Sequence, residues 1–334
     1  MSIRVAINGF GRIGRSVLRI GCGKEEIDFV AINDLADAPA LSCLLKYDSV
    51  HGAFKGEAGY EKDDLIVNGK RIKTFSITEP ERLPWKEMGV DVVLESTGKF
   101  TDGNRAKGHI RSGAGKVIIS APADNADVTI IPGVNDSVFD MEKDSIISMG
   151  SCTANCLAPV IKVLDEEYGI ESGFMTTVHA YTKDQPLVDE AHRDLRRGRA
   201  AGVSITPTTT GAFRAISKVM PHLRDRVRGI SIRVPTPNVS LIDFVVAVKK
   251  MVDRDSVNET FRSYAGGPMK GILSCEEEPL VSCDLNGNAH SAVVDLPGTQ
   301  TIGGRIAKVI AWYDNEYGFS SRLIDLMLRI ARSG

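Results

Sequence analysis

The 334-residue chain has no uninterrupted apolar run of about 18 residues, so nothing in it reads as a membrane-spanning helix. It has almost no net charge: 41 Lys and Arg against 43 Asp and Glu leave −2, and neither nucleic acid nor an acidic membrane surface is expected as the main partner. Cysteine is sparse. Six at irregular spacing form no disulfide framework, and no pair of Cys/His doublets completes a zinc site, so no metal is expected and a reducing cytoplasm is the expected setting. Residues 1–20 carry Arg4, Arg12, Arg15 and Arg19 and lack the apolar core of a secretory leader. There is no internal repeat and no low-complexity tract. What is present is ordinary for a soluble globular protein: 43% hydrophobic and 25% charged residues, with length for one large domain or two of usual size.

One short stretch organises the chain, Ser151-Cys152-Thr153-Ala154-Asn155-Cys156. The β-rich run Ser145–Ser148 precedes it and the helical run Leu157–Leu164 follows. Cys152 therefore falls in the first turn of a helix, with Ser151 as N-cap. The dipole there favours thiolate by about 0.3–1 kcal/mol, or about 2 kcal/mol when partly buried, which alone brings a free thiol only to about 7–8. A committed nucleophile needs a second helper, and His179, at the end of the next β-rich run, is the candidate. Cys156, one turn on, is expected to be a structural cysteine.

The chain opens on a strand, Ile3–Asn8, followed at once by Gly9-Phe10-Gly11-Arg12-Ile13-Gly14 and a helical run. A second strand, Phe29–Asn33, ends at Asp34. This is the dinucleotide-binding pattern. Gly9 makes the tight turn, Gly11 lets the backbone approach a pyrophosphate, Gly14 lets the helix pack on the strand, and Asp34 accepts from the adenosine ribose. A hairpin is expected around Asn68-Gly69. Strands 91–98 and 116–121 end in small polar residues, which makes Ser96, Thr97 and Ser120 cofactor neighbours or turn residues.

From residue 151 strands become longer and alternate, as in 229–234, 240–248, 291–296 and 306–313. The expected fold is an α/β Rossmann dinucleotide-binding domain, 1–150, then an α+β catalytic domain with a mostly antiparallel sheet, 151–315. A C-terminal amphipathic helix within 316–334 is expected to pack back on the first domain. The irregular stretch 181–205 carries Arg193, Arg196, Arg197 and Arg199. Thr208-Thr209-Thr210-Gly211 opens a helical run, and Arg233 precedes Pro235. Hydroxyls, helix N-terminal amides and guanidinium are the groups that recognise phosphate.

The segment SCTANCLAP resembles the active-site segment of the phosphorylating glyceraldehyde-3-phosphate dehydrogenases, with Ala154 where that family has Thr and Gly150-Ser151 where it has Ala-Ser. AINGFGRIGR, AINDL, YDSVHG, ESTGKFT and ISAPA are similar to its first domain. HAYTKDQ, RRGRA, PTTTGA, RVPTPNVS and WYDNEYGFS are similar to its second. By position the resemblance implies that Arg12, Ile13, Asp34, Ser120 and Asn315 contact the dinucleotide. It places Ser151, Thr153, Thr182, Arg197, Thr210, Gly211 and Arg233 at two oxyanion sites, one for the substrate phosphate and one for inorganic phosphate. It implies Cys152 as nucleophile, His179 as base, NAD as cofactor and a homotetramer with 181–205 at an interface. Thr78 stands where many relatives have an adenine-side arginine, and Glu190-Ala191 matches neither the NAD-type Leu-Pro nor the NADP-type serine. The implied reaction converts glyceraldehyde 3-phosphate, NAD and phosphate to 1,3-bisphosphoglycerate. Two other readings stand beside it: an erythrose-4-phosphate dehydrogenase, and a catalytically idle dinucleotide-binding protein.

Overall fold

The computed structural model describes residues 2–333. The first apolar runs become β1 (Ile3–Asn8) and β2 (Ile27–Asn33), with α1 (Arg12–Gly21) between them and α2 (Ala38–Lys46) after. Next come β3 (Ala58–Glu61), β4 (Asp64–Val67) and β5 (Lys70–Phe75), then β6 (Val92–Glu95), α3 (Gly103–Arg111), β7 (Lys116–Ile119), β8 (Val128–Thr129) and β9 (Ile146–Ser148). The expected hairpin is β4–β5, turned at Asn68-Gly69.

These strands form one sheet in the order β3-β4-β5-β2-β1-β6-β7-β9-β8. From β5 to β8 every pair is parallel, and only β3–β4 and β4–β5 are antiparallel. Its parallel strands read as continuous apolar runs because both faces are covered. Trp85, Val93, Val117 and Ile119 sit in one buried cluster of this sheet. Two glycines explain why α1 seats so close. A Cβ on Gly9, whose φ is +92°, would stand 2.7 Å from the Thr97 amide nitrogen, and one on Gly14 would run into the Gly9 carbonyl.

The rest of the chain gives α4 (Cys152–Tyr168), β10 (Ile170–Ala180), β11 (Thr206–Thr208), α5 (Ala212–Val219), β12 (Val227–Val234), β13 (Ser240–Val248), α6 (Arg254–Gly266), β14 (Leu273–Glu276), β15 (Ala292–Ile302), β16 (Ile306–Tyr313) and α7 (Tyr317–Ser333). The second sheet runs β11-β12-β10-β13-β16-β15-β14. Its central pairs β10–β13 and β13–β16 are antiparallel, as are β11–β12 and β15–β16; β10–β12 and β14–β15 are parallel. α4 packs on β13 and β16, against the buried alternate residues Ile242, Phe244 and Val246. β15 is longer than its periodicity predicts, because a register irregularity between Asp295 and Gln300 interrupts the alternation.

By internal contacts the chain divides into two units: residues up to Gly150 with those from Ser320 on, and Ser151–Phe319. In the first unit Ile324 of α7 lies against the position where Gly21 would carry a side chain. No helix among the described residues is long and apolar enough to cross a membrane.

Candidate active site

Ser151 caps α4, its Oγ accepting from the Ala154 N–H at 3.1 Å, and Cys152 is the first helical residue. His179 lies near the end of β10, and its Nε2 stands 3.5 Å from the Cys152 Sγ. The other ring nitrogen, Nδ1, is 2.6 Å from the Ala180 carbonyl oxygen. A carbonyl only accepts, so Nδ1 carries the proton and Nε2 is a free lone pair aimed at the thiol. The ring is buried, 3% exposed, and packs edge-on to Tyr313 at 5.9 Å.

The electrostatics differ from the sequence expectation. Burial pushes the Cys152 thiol up, against the pull of Arg233 and of the Thr153 backbone and side chain. Desolvation outweighs these pulls together. Burial, with Arg233 beside it, brings His179 down to about 3. The resting pair is a thiol and a neutral imidazole, an acid and a base already in contact. Cys156 is fully buried, its Sγ lies 3.9 Å from the Ala311 carbonyl, and its thiol is raised well above the ordinary range.

Arg233 on β12 is in register with His179 on β10. Its Nη1 donates to the Ala180 carbonyl and to Thr182 Oγ1, both at 3.2 Å, and its buried Nε has no partner. A buried guanidinium with an unused N–H is suited to an anion. The Thr210 hydroxyl accepts from the Ala212 N–H at the start of α5, and Gly211 is the N-cap.

Two expected anion ligands are otherwise engaged. Arg197 donates to Asp184 Oδ2 at 2.6 Å, to Thr208 Oγ1 at 2.9 Å and to the Thr209 carbonyl at 3.0 Å. Thr153 is buried, with its Oγ1 3.0 Å from the Tyr313 hydroxyl, which is 2.9 Å from Thr177 Oγ1. Thr177 donates to the Leu241 carbonyl, so Thr153 donates to Tyr313, Tyr313 to Thr177, and the Leu241 carbonyl ends the chain as acceptor. Asn315 is buried and its Oδ1 accepts from Ser240 Oγ at 2.8 Å, which leaves the amide N–H groups to donate. Tyr313, Thr177, Asp184 and Ser240 escaped the sequence reading. Their only signal was membership of the segments WYDNEYGFS, HAYTKDQ and RVPTPNVS and, for Thr177, of the β-rich run that ends at His179.

In the first unit the strand ends carry the dinucleotide pattern. α1 begins at Gly11 without a side-chain cap, and a Cβ on Gly11 would meet open space. A helix start left open in this way is suited to an anion. Asp34 accepts from the Phe10 N–H at 2.7 Å and the Ala36 N–H at 3.0 Å, which fixes its carboxylate at the end of β2. Arg12 donates to Asp48 Oδ2 at 2.5 Å. Burial pushes that carboxyl up, but the His51 and Val50 N–H groups and Arg12 together bring it to about 2. Ile13 is partly exposed in the first turn, and Ser120 Oγ donates to the Glu95 carbonyl at 3.1 Å. Ser96 Oγ donates to the Gly9 carbonyl and Thr97 Oγ1 to Glu95, so both act as turn residues here. Among the described residues no cluster suited to a metal ion occurs.

A glycine-rich βα turn with an acid at the next strand end, and a cysteine–histidine pair on an α+β unit, define an NAD-dependent oxidoreductase. Comparison with known proteins narrows the class. Residues 3–103 match the family profile "Glyceraldehyde 3-phosphate dehydrogenase, NAD binding domain", and residues 151–315 match "Glyceraldehyde 3-phosphate dehydrogenase, C-terminal domain". The chain is 53% identical over 331 residues to Glyceraldehyde-3-phosphate dehydrogenase 2 of Bacillus subtilis, covering 99% of this chain and 97% of that protein. It is 51% identical over 334 residues to Glyceraldehyde-3-phosphate dehydrogenase of Geobacillus stearothermophilus, covering all of both. It is 50% identical to Glyceraldehyde-3-phosphate dehydrogenase GAPB, chloroplastic, of Arabidopsis thaliana, covering 98% of this chain and 75% of that protein. The chain belongs to the glyceraldehyde 3-phosphate dehydrogenase family.

Proposed function

We propose that this enzyme oxidises glyceraldehyde 3-phosphate with NAD and inorganic phosphate to 1,3-bisphosphoglycerate through a thioester on Cys152. The observation that carries the reading is the 3.5 Å contact between Cys152 Sγ and the unprotonated Nε2 of His179. His179 takes the thiol proton as sulfur adds to the aldehyde carbon and passes it to the carbonyl oxygen, which gives a hemithioacetal and leaves the imidazole neutral again. It then takes the hydroxyl proton as hydride leaves that carbon. NAD supplies the hydride acceptor. Inorganic phosphate attacks the resulting thioester and releases the thiolate of Cys152. Ser151, Thr153, Thr182, Arg197, Thr210, Gly211 and Arg233 are assigned to the phosphates, Arg197 through the N–H groups left beside its bonds to Asp184, Thr208 and Thr209. Asn315, held by Ser240, is assigned to the carboxamide of NAD, and Gly9, Gly11, Arg12, Ile13, Gly14, Asp34 and Ser120 to its other parts. The test is NADH formation with glyceraldehyde 3-phosphate and erythrose 4-phosphate, each with and without phosphate. The first aldehyde with phosphate should be fastest; a preference for erythrose 4-phosphate with water as acceptor would overturn the assignment.

Arg233 is assigned to the substrate phosphate. A hydrogen bond to a charged group contributes about 1.5–3 kcal/mol. Arg233→Leu should lower kcat/KM for glyceraldehyde 3-phosphate at least about tenfold and act far less on unphosphorylated glyceraldehyde. Equal losses on both would make the residue structural.

NAD is the expected cofactor over NADP, because the Asp34 carboxylate stands where a 2′-phosphate would be placed and Leu35 beside it offers no donor. Asp34→Ala should weaken NAD and narrow the gap in kcat/KM between the two cofactors; parity in the unaltered enzyme would contradict the assignment.

A homotetramer in the cytoplasm completes the proposal. Leu187, Leu195, Val203 and Ile205 of the 181–205 stretch are each more than two-thirds exposed, and Phe174, 71% exposed, faces Val245 across β10 and β13. Such apolar surface needs covering. Phe174→Asp should lower the sedimentation coefficient toward that of a dimer or monomer; an unchanged coefficient would remove this face from the interface. All six cysteines are unpaired, as a reducing compartment leaves them.

A further inference from the structure

Under the strand ends of the first unit lies a polar network that the chemistry above does not use. Trp85 and His109 are fully buried, Asn8 and Glu95 are 2% exposed. The indole N–H of Trp85 donates to His109 Nδ1 at 3.0 Å. An indole only donates, so Nδ1 accepts and the ring proton sits on Nε2. That nitrogen is 3.2 Å from Glu95 Oε2, which also receives the Asn8 amide at 2.5 Å. The other carboxylate oxygen, Oε1, receives the Thr97 backbone N–H at 2.9 Å and its hydroxyl at 2.5 Å. Four donors therefore converge on one side chain. The network continues sideways: Asn33 Nδ2 donates to Asn8 Oδ1 at 2.7 Å, and the Asn33 amide pairs both ways with the backbone of Ile77.

The positions of the members matter. Asn8, Asn33 and Glu95 are the last residues of β1, β2 and β6, adjacent strands of the sheet. Asn8 and Asn33 are followed at once by residues assigned to the dinucleotide, Gly9–Gly14 and Asp34, and Glu95 by the Ser96-Thr97 turn, which packs directly on Gly9. The main chain repeats the same links, with the Gly9 N–H on the Asn33 carbonyl and the Ser96 N–H on the Asn8 carbonyl, both at 2.8 Å. Gly9 has no room for a Cβ because Thr97 is already there. A network that only filled the core would be replaceable by apolar side chains at little cost. This one instead turns the Thr97 N–H and hydroxyl inward and ties three loops to a single carboxylate.

We propose that Glu95, oriented by His109 and Trp85, is a positioning residue for the dinucleotide: it sets the spacing between the glycine-rich turn and the Thr97 turn, and so the affinity for NAD. The inference rests on the assignment of these strand ends to the cofactor. A glutamine at 95 would point an amide N–H at one of its present donors. Glu95→Gln is therefore expected to weaken NAD binding about tenfold or more, by calorimetry on the full-length enzyme. A glutamine at 109 keeps a donor for Glu95 but cannot also receive Trp85 in the same geometry, so His109→Gln should weaken binding several-fold. In steady state KM for NAD should rise in both, with kcat at saturating NAD within about threefold of the unaltered enzyme. A lowered melting temperature with unchanged NAD affinity in both variants would reduce the network to core packing and overturn the inference. If Glu95→Gln does not fold, His109→Gln decides alone. Asp34→Ala, measured alongside, separates the premises. Tight NAD binding in that variant means the strand-end assignment has failed. Weakened binding there with unaltered binding in His109→Gln means this inference alone has failed.

Discussion

Cys152→Ser is expected to fold normally and to lose NADH formation by at least about 10⁴-fold, the scale on which removing a catalytic nucleophile acts. The hydroxyl would stand in the same place, at the start of α4 and beside His179 Nε2. It would not ionise there, since burial already raises even the more acidic thiol. Iodoacetate on Cys152, beside His179 Nε2 and within the field of Arg233, should abolish activity. Cys156 is fully buried and its thiol is pushed well up, so Cys156→Ser should retain most activity. Retained dehydrogenase activity in folded Cys152→Ser would remove the nucleophile from the account.

The pH dependence of that thiol follows from the same surroundings. Burial raises it, so the thiolate fraction and the rate of alkylation by neutral iodoacetamide should climb with pH above neutrality. The Arg233 guanidinium opposes the rise. Arg233→Leu removes the opposing charge and should move the climb to higher pH. A shift to lower pH would mean that Arg233 does not act on the sulfur.

His179→Asn carries the second large effect, a loss of about 10²–10⁴-fold in kcat, typical for a general base. Asparagine can still donate to the Ala180 carbonyl, but it puts no basic lone pair opposite Sγ. Both proton removals in the proposed cycle pass through Nε2, so the step to the hemithioacetal and the hydride step should slow together. Alkylation of Cys152 near neutral pH should slow too. With His179 brought down to about 3, protonation of the imidazole does not limit the enzyme anywhere near neutrality. Near-normal turnover and alkylation in His179→Asn would contradict the assignment.

Much of this was legible in the chain because the signals are local. The glycine turn, the Asn68-Gly69 hairpin and the Ser151 cap each involve a few adjacent residues whose backbone demands only certain side chains satisfy. The Cys152 position at a helix start is local for the same reason. What escaped is pairing across long separations. Thr153 meets Tyr313 across 160 positions, and Asn8 meets Glu95 across 87. No periodicity encodes such contacts. The Asp184–Arg197 bond crosses only thirteen positions, but within a stretch with no regular period to predict it. The direction of the thiol shift was misread for a related reason. A helix terminus is visible in sequence, whereas the desolvation that raises the thiol is a property of the folded unit.

The central claim is a thioester on Cys152 that only phosphate resolves efficiently. Mixing enzyme, NAD and glyceraldehyde 3-phosphate without phosphate in a stopped-flow spectrometer, then quenching for intact-protein and peptide mass spectrometry, tests it most directly. The account predicts a burst of about one NADH per subunit, an acyl adduct on the peptide holding Cys152, and resumed turnover with loss of the adduct when phosphate is added. Sustained turnover without phosphate, or an adduct on any other residue, would contradict it.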